Sequence, residues 1–146
     1  MNLSTEEMIH TLIHQTDLSL TKVTKKLLHP YGLAPEQSLI LLVLHKEHGL
    51  TQNEVAQKLN KDKTNIARMA YKLEQKGMIE RLTESGDRRS LKLGLTTDGE
   101  KLVKEVINLT RNFSEQIRNG ITDQELSQLK EILAKIHHNA ENYEQA

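Results

Sequence analysis

The sequence predicts a mainly α-helical protein with one small β-hairpin. Three observations carry this: amphipathic stripes at helical spacing recur along the chain, two short apolar runs near its middle alternate with period two, and Ser/Thr-x-x-Glu helix starts precede several stripes. In such a start the hydroxyl accepts from a free backbone N–H while the glutamate reaches back to the capping residue. Four are present: Ser4 with Glu7, Thr51 with Glu54, Thr97 with Glu100 and Thr122 with Glu125.

From Ser4, the positions Ile9, Ile13, Leu20, Val23 and Leu27 mark one long helix that should stop near Pro30. Tyr31 to Ala34 form a connector. Pro35 suits a first helical turn, and the leucine-rich segment Gln37 to Glu47 reads as a buried helix capped at its C-terminus by Gly49. Thr51 opens a short helix to about Leu59, and Asn60 or Asp62 can cap the next, roughly Asp62 to Lys76, which Gly77 ends. Met78 to Thr83 and then Leu91, Leu93 and Leu95 read as a two-stranded hairpin with its tip at residues 84–90. After Thr97, Leu102, Val106, Leu109, Phe113 and Ile117 mark a further helix ending at Asn119-Gly120. Leu126, Leu129, Leu133 and Ile136 give the last one a seam suited to packing along another helix.

Composition removes several classes of function. With no cysteine, disulfides and thiolate chemistry are excluded. No apolar run approaches the roughly 20 residues of a membrane span, and Met1 to Glu7 lacks the features of a signal peptide, so the expectation is a cytoplasmic protein with no membrane partner. No glycine-rich phosphate loop or recognisable nucleophile motif is present, and no enzyme activity or cofactor is expected. His10 with His14, and His45 with His48, have spacings that can bring two imidazoles to one helix face, but neither pair has further ligands in its pattern. Metal is therefore not expected there, and His137-His138 reads as surface.

The formal net charge is zero but unevenly spread. Residues 1–50 hold 4 Lys+Arg against 5 Asp+Glu, residues 51–99 hold 10 against 7, and residues 100–146 hold 6 against 8. Fields act over a Debye length of about 8 Å in physiological salt, so a basic face can coexist with a neutral total. The helix Asp62 to Lys76 carries Ile66, Met69, Ala70 and Leu73 at core spacing, with a polar stripe on a different face. Two helices joined by a tight turn and followed by a hairpin make a winged helix-turn-helix, whose second helix can enter a DNA major groove. Lys61, Lys63, Thr64, Asn65, Arg68 and Lys72 are the types that contact phosphates and base edges there. Arg88 and Arg89, with Asp87 to orient one of them, suit a narrow minor groove. Taken alone, a basic stripe is usually a solvated face, and the three pieces gain meaning from their order.

Leu50-Thr51-Gln52-x-Glu54-Val55-Ala56, the run Ile66 through Arg81, the wing signature Asp87-Arg88-Arg89, and Leu95-Thr96-x-x-Gly99 resemble the MarR family of transcriptional regulators, in order and spacing over roughly residues 35–105. The resemblance implies major-groove roles for Thr64, Asn65 and Arg68 and a minor-groove role for Arg89. It also implies a homodimer on a pseudo-palindromic operator, most commonly as a repressor relieved by a small aromatic or phenolic effector. The effector would bind between helices, at residues the sequence does not single out. On this reading residues 1–34 and 100–146 supply dimerisation helices, with Ile9, Ile13, Leu126, Leu129, Leu133 and Ile136 at the interface, around a DNA-binding domain at 35–99. The rival reading is a winged-helix adaptor or anti-repressor that binds protein rather than DNA.

One departure stands out. Many family members have an acidic residue where this chain has Tyr71, able to pair with an arginine at the position of Arg81. Tyr71 cannot form that ion pair, so a hydrogen bond or stacking contact is expected between recognition helix and wing. Family mechanisms that use an N-terminal cysteine, or zinc bound by histidines after the wing, lack their residues in this chain.

Overall fold

The computed structural model describes residues 4–82 and 91–144. In order, the elements are α1 (Ile9–Leu28), a 3₁₀ turn (His29–Tyr31), α2 (Pro35–Lys46), β1 (Leu50–Thr51), α3 (Gln52–Leu59), α4 (Lys63–Gln75), β2 (Ile79–Leu82), β3 (Lys92–Leu95), α5 (Thr97–Ile117) and α6 (Asp123–Glu141). The chain divides into two compact units, residues 1–110 and 111–146.

The first unit contains the core. Leu28 from α1, Ile40, Leu41 and Leu44 from α2, Val55 from α3, Ile66 and Leu73 from α4, and Val103 and Val106 from α5 are all essentially inaccessible to solvent. Each such aliphatic side chain contributes about 1.5–3 kcal/mol relative to exposure, so the interior holds α4 firmly from its apolar side. The sheet is antiparallel with strand order β1-β3-β2, pairing Leu50 with Leu93 and Ile79 with Leu95. It has three strands rather than the expected two. The additional strand, β1, is too short to show alternation and exists through its pairing with β3.

Three helix ends also differ from expectation. At Leu95–Glu100, Thr96 supplies the cap instead of Thr97: its hydroxyl accepts from the Gly99 N–H at 3.0 Å and donates to the Gly77 carbonyl. The Glu100 carboxylate is thereby released to meet His45 of α2 at 3.2 Å. At the end of α2 the capping residue is Glu47, and Gly49 instead takes a left-handed conformation (φ +84°) and donates its N–H to the Leu93 carbonyl. Thr51 with Glu54 and Thr122 with Glu125 cap α3 and α6 as expected, whereas Ser4 and Glu7 exchange hydrogen bonds without capping α1, which begins at Ile9 after Met8.

In the second unit no described residue is buried. Leu126 and Ile136 on α6 are half-buried, while Leu129, Ile132 and Leu133 are exposed. A polar face and an apolar face thus coexist on α6, and the apolar residues Leu129, Ile132 and Leu133 are exposed.

Candidate nucleic-acid interface

The interface is built from the helix pair α3 and α4. Thr51 caps α3 by accepting from the Glu54 N–H at 3.2 Å, and Asn60 closes it in a left-handed conformation (φ +52°) that asparagine tolerates. Two residues later Asp62 begins α4, its carboxylate accepting from the Thr64 N–H at 3.4 Å. A carboxylate at a helix N-terminus also complements the helix dipole. Gly77 (φ +76°) ends α4, with its N–H bonded to the Glu74 carbonyl and that of Met78 to the Leu73 carbonyl. Both ends of α4 are thus fixed by short-range chemistry.

Between those ends, Ile66, Met69, Ala70 and Leu73 are buried, as the periodicity predicts. Lys63, Thr64, Arg68 and Lys72 are exposed on α4, Asn65 is half-buried, and Lys61 is exposed in the turn before the helix. The six residues therefore cluster along one element and its entry turn. Among the described residues, Lys63 and Lys72 form no ion pair, leaving their charge available to an anion. The wing residues Asp87, Arg88 and Arg89 lie outside the described residues.

Three of the six are linked to one another through a residue that the sequence did not flag. Glu36, in the first turn of α2, receives Lys61 Nζ at 3.4 Å on Oε1 and Asn65 Nδ2 at 3.4 Å on Oε2. Asn65 Oδ1 in turn accepts from Arg68 Nη2 at 2.6 Å. Glu36 lies 29 positions from Asn65. From sequence alone its carboxylate looks like an ordinary first-turn acid.

A second correction concerns the link from α4 to the wing. Arg81 on β2 does form an ion pair, with Glu74 rather than with residue 71, its Nε lying 2.7 Å from the Glu74 carboxylate. Tyr71 is exposed, and its hydroxyl accepts from Gln75 Nε2 at 2.9 Å within the same helix. Moving the acid three residues along keeps it on the same face, because i and i+3 are neighbours on a helix.

Elsewhere, a cleft of about 250 Å³ lies between α1, α2 and the middle of α5, walled by Leu20, Thr24, Ser38, Leu39, Leu42 and Thr110 among others. His45 and His48 do not share a helix face: His45 faces Glu100, while His48 follows the end of α2 and lies against Gly94. Among the described residues no group of three or more His, Cys, Asp or Glu is placed to hold a metal, and no helix is long and apolar enough to cross a membrane.

A capped helix pair whose second member is clamped on one side and polar on the other, followed directly by antiparallel strands, defines a winged helix-turn-helix protein. The chain matches the model of the MarR family over residues 31–90. It is 32% identical over 108 residues to the transcriptional repressor MprA of Escherichia coli K12, an alignment that takes in 74% of this chain and 61% of that repressor. The chain thus spans about 61% of the length of that relative. The transcriptional regulator PA3341 superposes with a TM-score of 0.81 at 27% identity, covering 92% of this chain and 98% of PA3341. MepR of S. aureus, in a structure of its complex with DNA, superposes with a TM-score of 0.83 at 25% identity, covering 94% and 99% of the two chains.

Proposed function

We propose that this protein is a sequence-specific DNA-binding transcriptional regulator that acts as a homodimeric repressor. The observation that carries the reading is α4: a buried stripe fixes it in place while Lys63, Thr64, Arg68 and Lys72 face outward. The similarity to MepR, a protein known in complex with DNA, supports the same reading. Lysine and arginine engage phosphates or guanine edges, and threonine a phosphate or thymine methyl. Arg88 and Arg89 are assigned to the minor groove beside the wing.

The dimer is assigned to the terminal helices. The apolar residues of α6, together with Ile9 and the half-buried Ile13 of α1, offer surface that a second copy can cover. Two-fold symmetry then calls for a pseudo-palindromic operator with half-site centres about 10 base pairs apart. The cleft between α1, α2 and α5 is the proposed site of a small aromatic effector, since it combines leucine walls with hydroxyl groups. An effector relieves repression only if it binds better to a conformation that fits DNA poorly.

The test is affinity as a function of salt. Three α4 cations on each of two protomers release about six counterions, so raising salt from 50 to 200 mM should weaken binding on the order of 10³-fold. Arg68→Ala should make that dependence shallower. Salt-independent binding, or no binding to any duplex, would instead favour a winged-helix adaptor that docks on protein.

A further inference from the structure

We propose that Glu36 is a positioning residue for sequence readout, holding Asn65 so that Asn65 supports Arg68, and that Arg68 rather than Asn65 is the group that reads the base. The inference rests on the DNA-binding reading above and refines which side chain carries its specificity.

The engagement of the Asn65 carboxamide on both sides points to the supporting role. Reading an adenine edge requires the amide oxygen and one amide N–H to point at the same base. In this structure Asn65 Oδ1 is engaged by Arg68 at 2.6 Å and Nδ2 by Glu36 at 3.4 Å. The carboxamide, half-buried, therefore bridges α2 and Arg68 along the protein surface. Adenine recognition would have to use the second lone pair of Oδ1 and the second N–H of Nδ2, or turn the carboxamide away from Arg68 and Glu36.

Arg68 is in the opposite situation. Its guanidinium has five N–H donors and uses Nη2 on Asn65, so donors remain for the two acceptors of a guanine edge. It is exposed on α4, where the groove would lie. Held by Asn65, it surrenders side-chain freedom before DNA arrives, which reduces the entropy lost on binding.

Glu36 completes the support. It stands in the first turn of the buried helix α2, and its second oxygen faces Lys61 at 3.4 Å. A carboxylate near the phosphate backbone opposes binding electrostatically. Its benefit is therefore in orientation, and glutamine, which retains an acceptor for Asn65 without the charge, separates the two effects.

The experiment is a selection from a random duplex pool, followed by affinities for the selected operator and for every single base-pair substitution in it. It uses the full chain and the variants Arg68→Ala, Asn65→Ala, Glu36→Ala and Glu36→Gln, with circular dichroism to confirm folding. The expected result is that Asn65→Ala and Glu36→Ala lose about tenfold in discrimination at the same base pairs as Arg68→Ala. Glu36→Gln should keep the motif and bind all duplexes more tightly than wild type. If Asn65→Ala relaxes a base pair that Arg68→Ala leaves intact, Asn65 reads DNA itself and the proposal fails. It fails equally if Glu36→Ala leaves discrimination unchanged. Should the wild-type protein select no motif at all, the DNA reading falls and this inference falls with it.

Discussion

Replacing Gly99 with alanine tests the packing that joins the end of the recognition helix to α5. A Cβ at residue 99 would lie 1.9 Å from the Met78 carbonyl oxygen and 3.0 Å from its carbon. That oxygen is main chain, and it already accepts the Thr96 N–H at 3.1 Å, so no rotamer change can relieve the clash. Restoring ordinary contact requires a shift of about 1.5 Å between the first turn of α5 and the turn that ends α4, by the usual spacing of non-bonded carbons and oxygens. Overpacking commonly costs 1–3 kcal/mol, and a rigid obstacle places this case at about 3 kcal/mol or above. With a urea m-value of about 2 kcal/mol/M, the unfolding midpoint should fall by about 1.5 M. Gly120→Ala is the control: that glycine has φ +81° but nothing within 4 Å of a Cβ, so it should cost only about 1 kcal/mol of backbone strain. Both variants should be measured at one protein concentration, because association contributes to apparent stability. A Gly99→Ala midpoint no lower than that of Gly120→Ala would refute the close-approach argument.

Further predictions concern individual contacts. Glu74 and Arg81 are each about one-third exposed, at 36% and 31%, so a double-mutant cycle with alanine should give a coupling of about 0.5–1 kcal/mol that shrinks in salt; no measurable coupling at low salt would remove this link between α4 and the wing. The Thr122 backbone N–H, and to a lesser degree its hydroxyl, hold the Glu125 carboxyl below its ordinary pKa. Because the folded value is lowered, the cap's stabilisation is present above the unfolded value and is lost as pH falls through the folded one. NMR titration should find the Glu125 midpoint below that of free glutamate, and a midpoint at or above it would contradict the cap. The wild type should sediment as a dimer at equilibrium and Leu129→Glu combined with Leu133→Glu as a folded monomer; an unchanged mass would take the α6 face out of the interface.

Local periodicity made α4 legible, because Ile66, Met69, Ala70 and Leu73 fall on one side of any regular helix. The same held for the caps at Thr51 and Thr122. Thr97 misled because the neighbouring Thr96 offers an equivalent hydroxyl, and the choice between them depended on the Gly77 carbonyl 19 residues away. β1 was invisible for a related reason: Leu50 and Thr51 are extended only because Leu93 and Lys92 pair with them. The candidate interface divided along the same line. The outward cations could be named from spacing, whereas Glu36 and Glu74 are ordinary acids until α2 and β2 are brought against α4. Charge partners across elements follow from tertiary packing, which no local pattern records.

The measurement that bears most directly on the central claim is the motif selected by this protein from a random duplex pool. A two-fold-symmetric motif with half-site centres about 10 base pairs apart, bound by two copies of the chain with a steep loss of affinity in salt, is the predicted result. An unsymmetric motif bound by one copy would contradict the dimer, and a pool with no enriched sequence would contradict DNA recognition by α4.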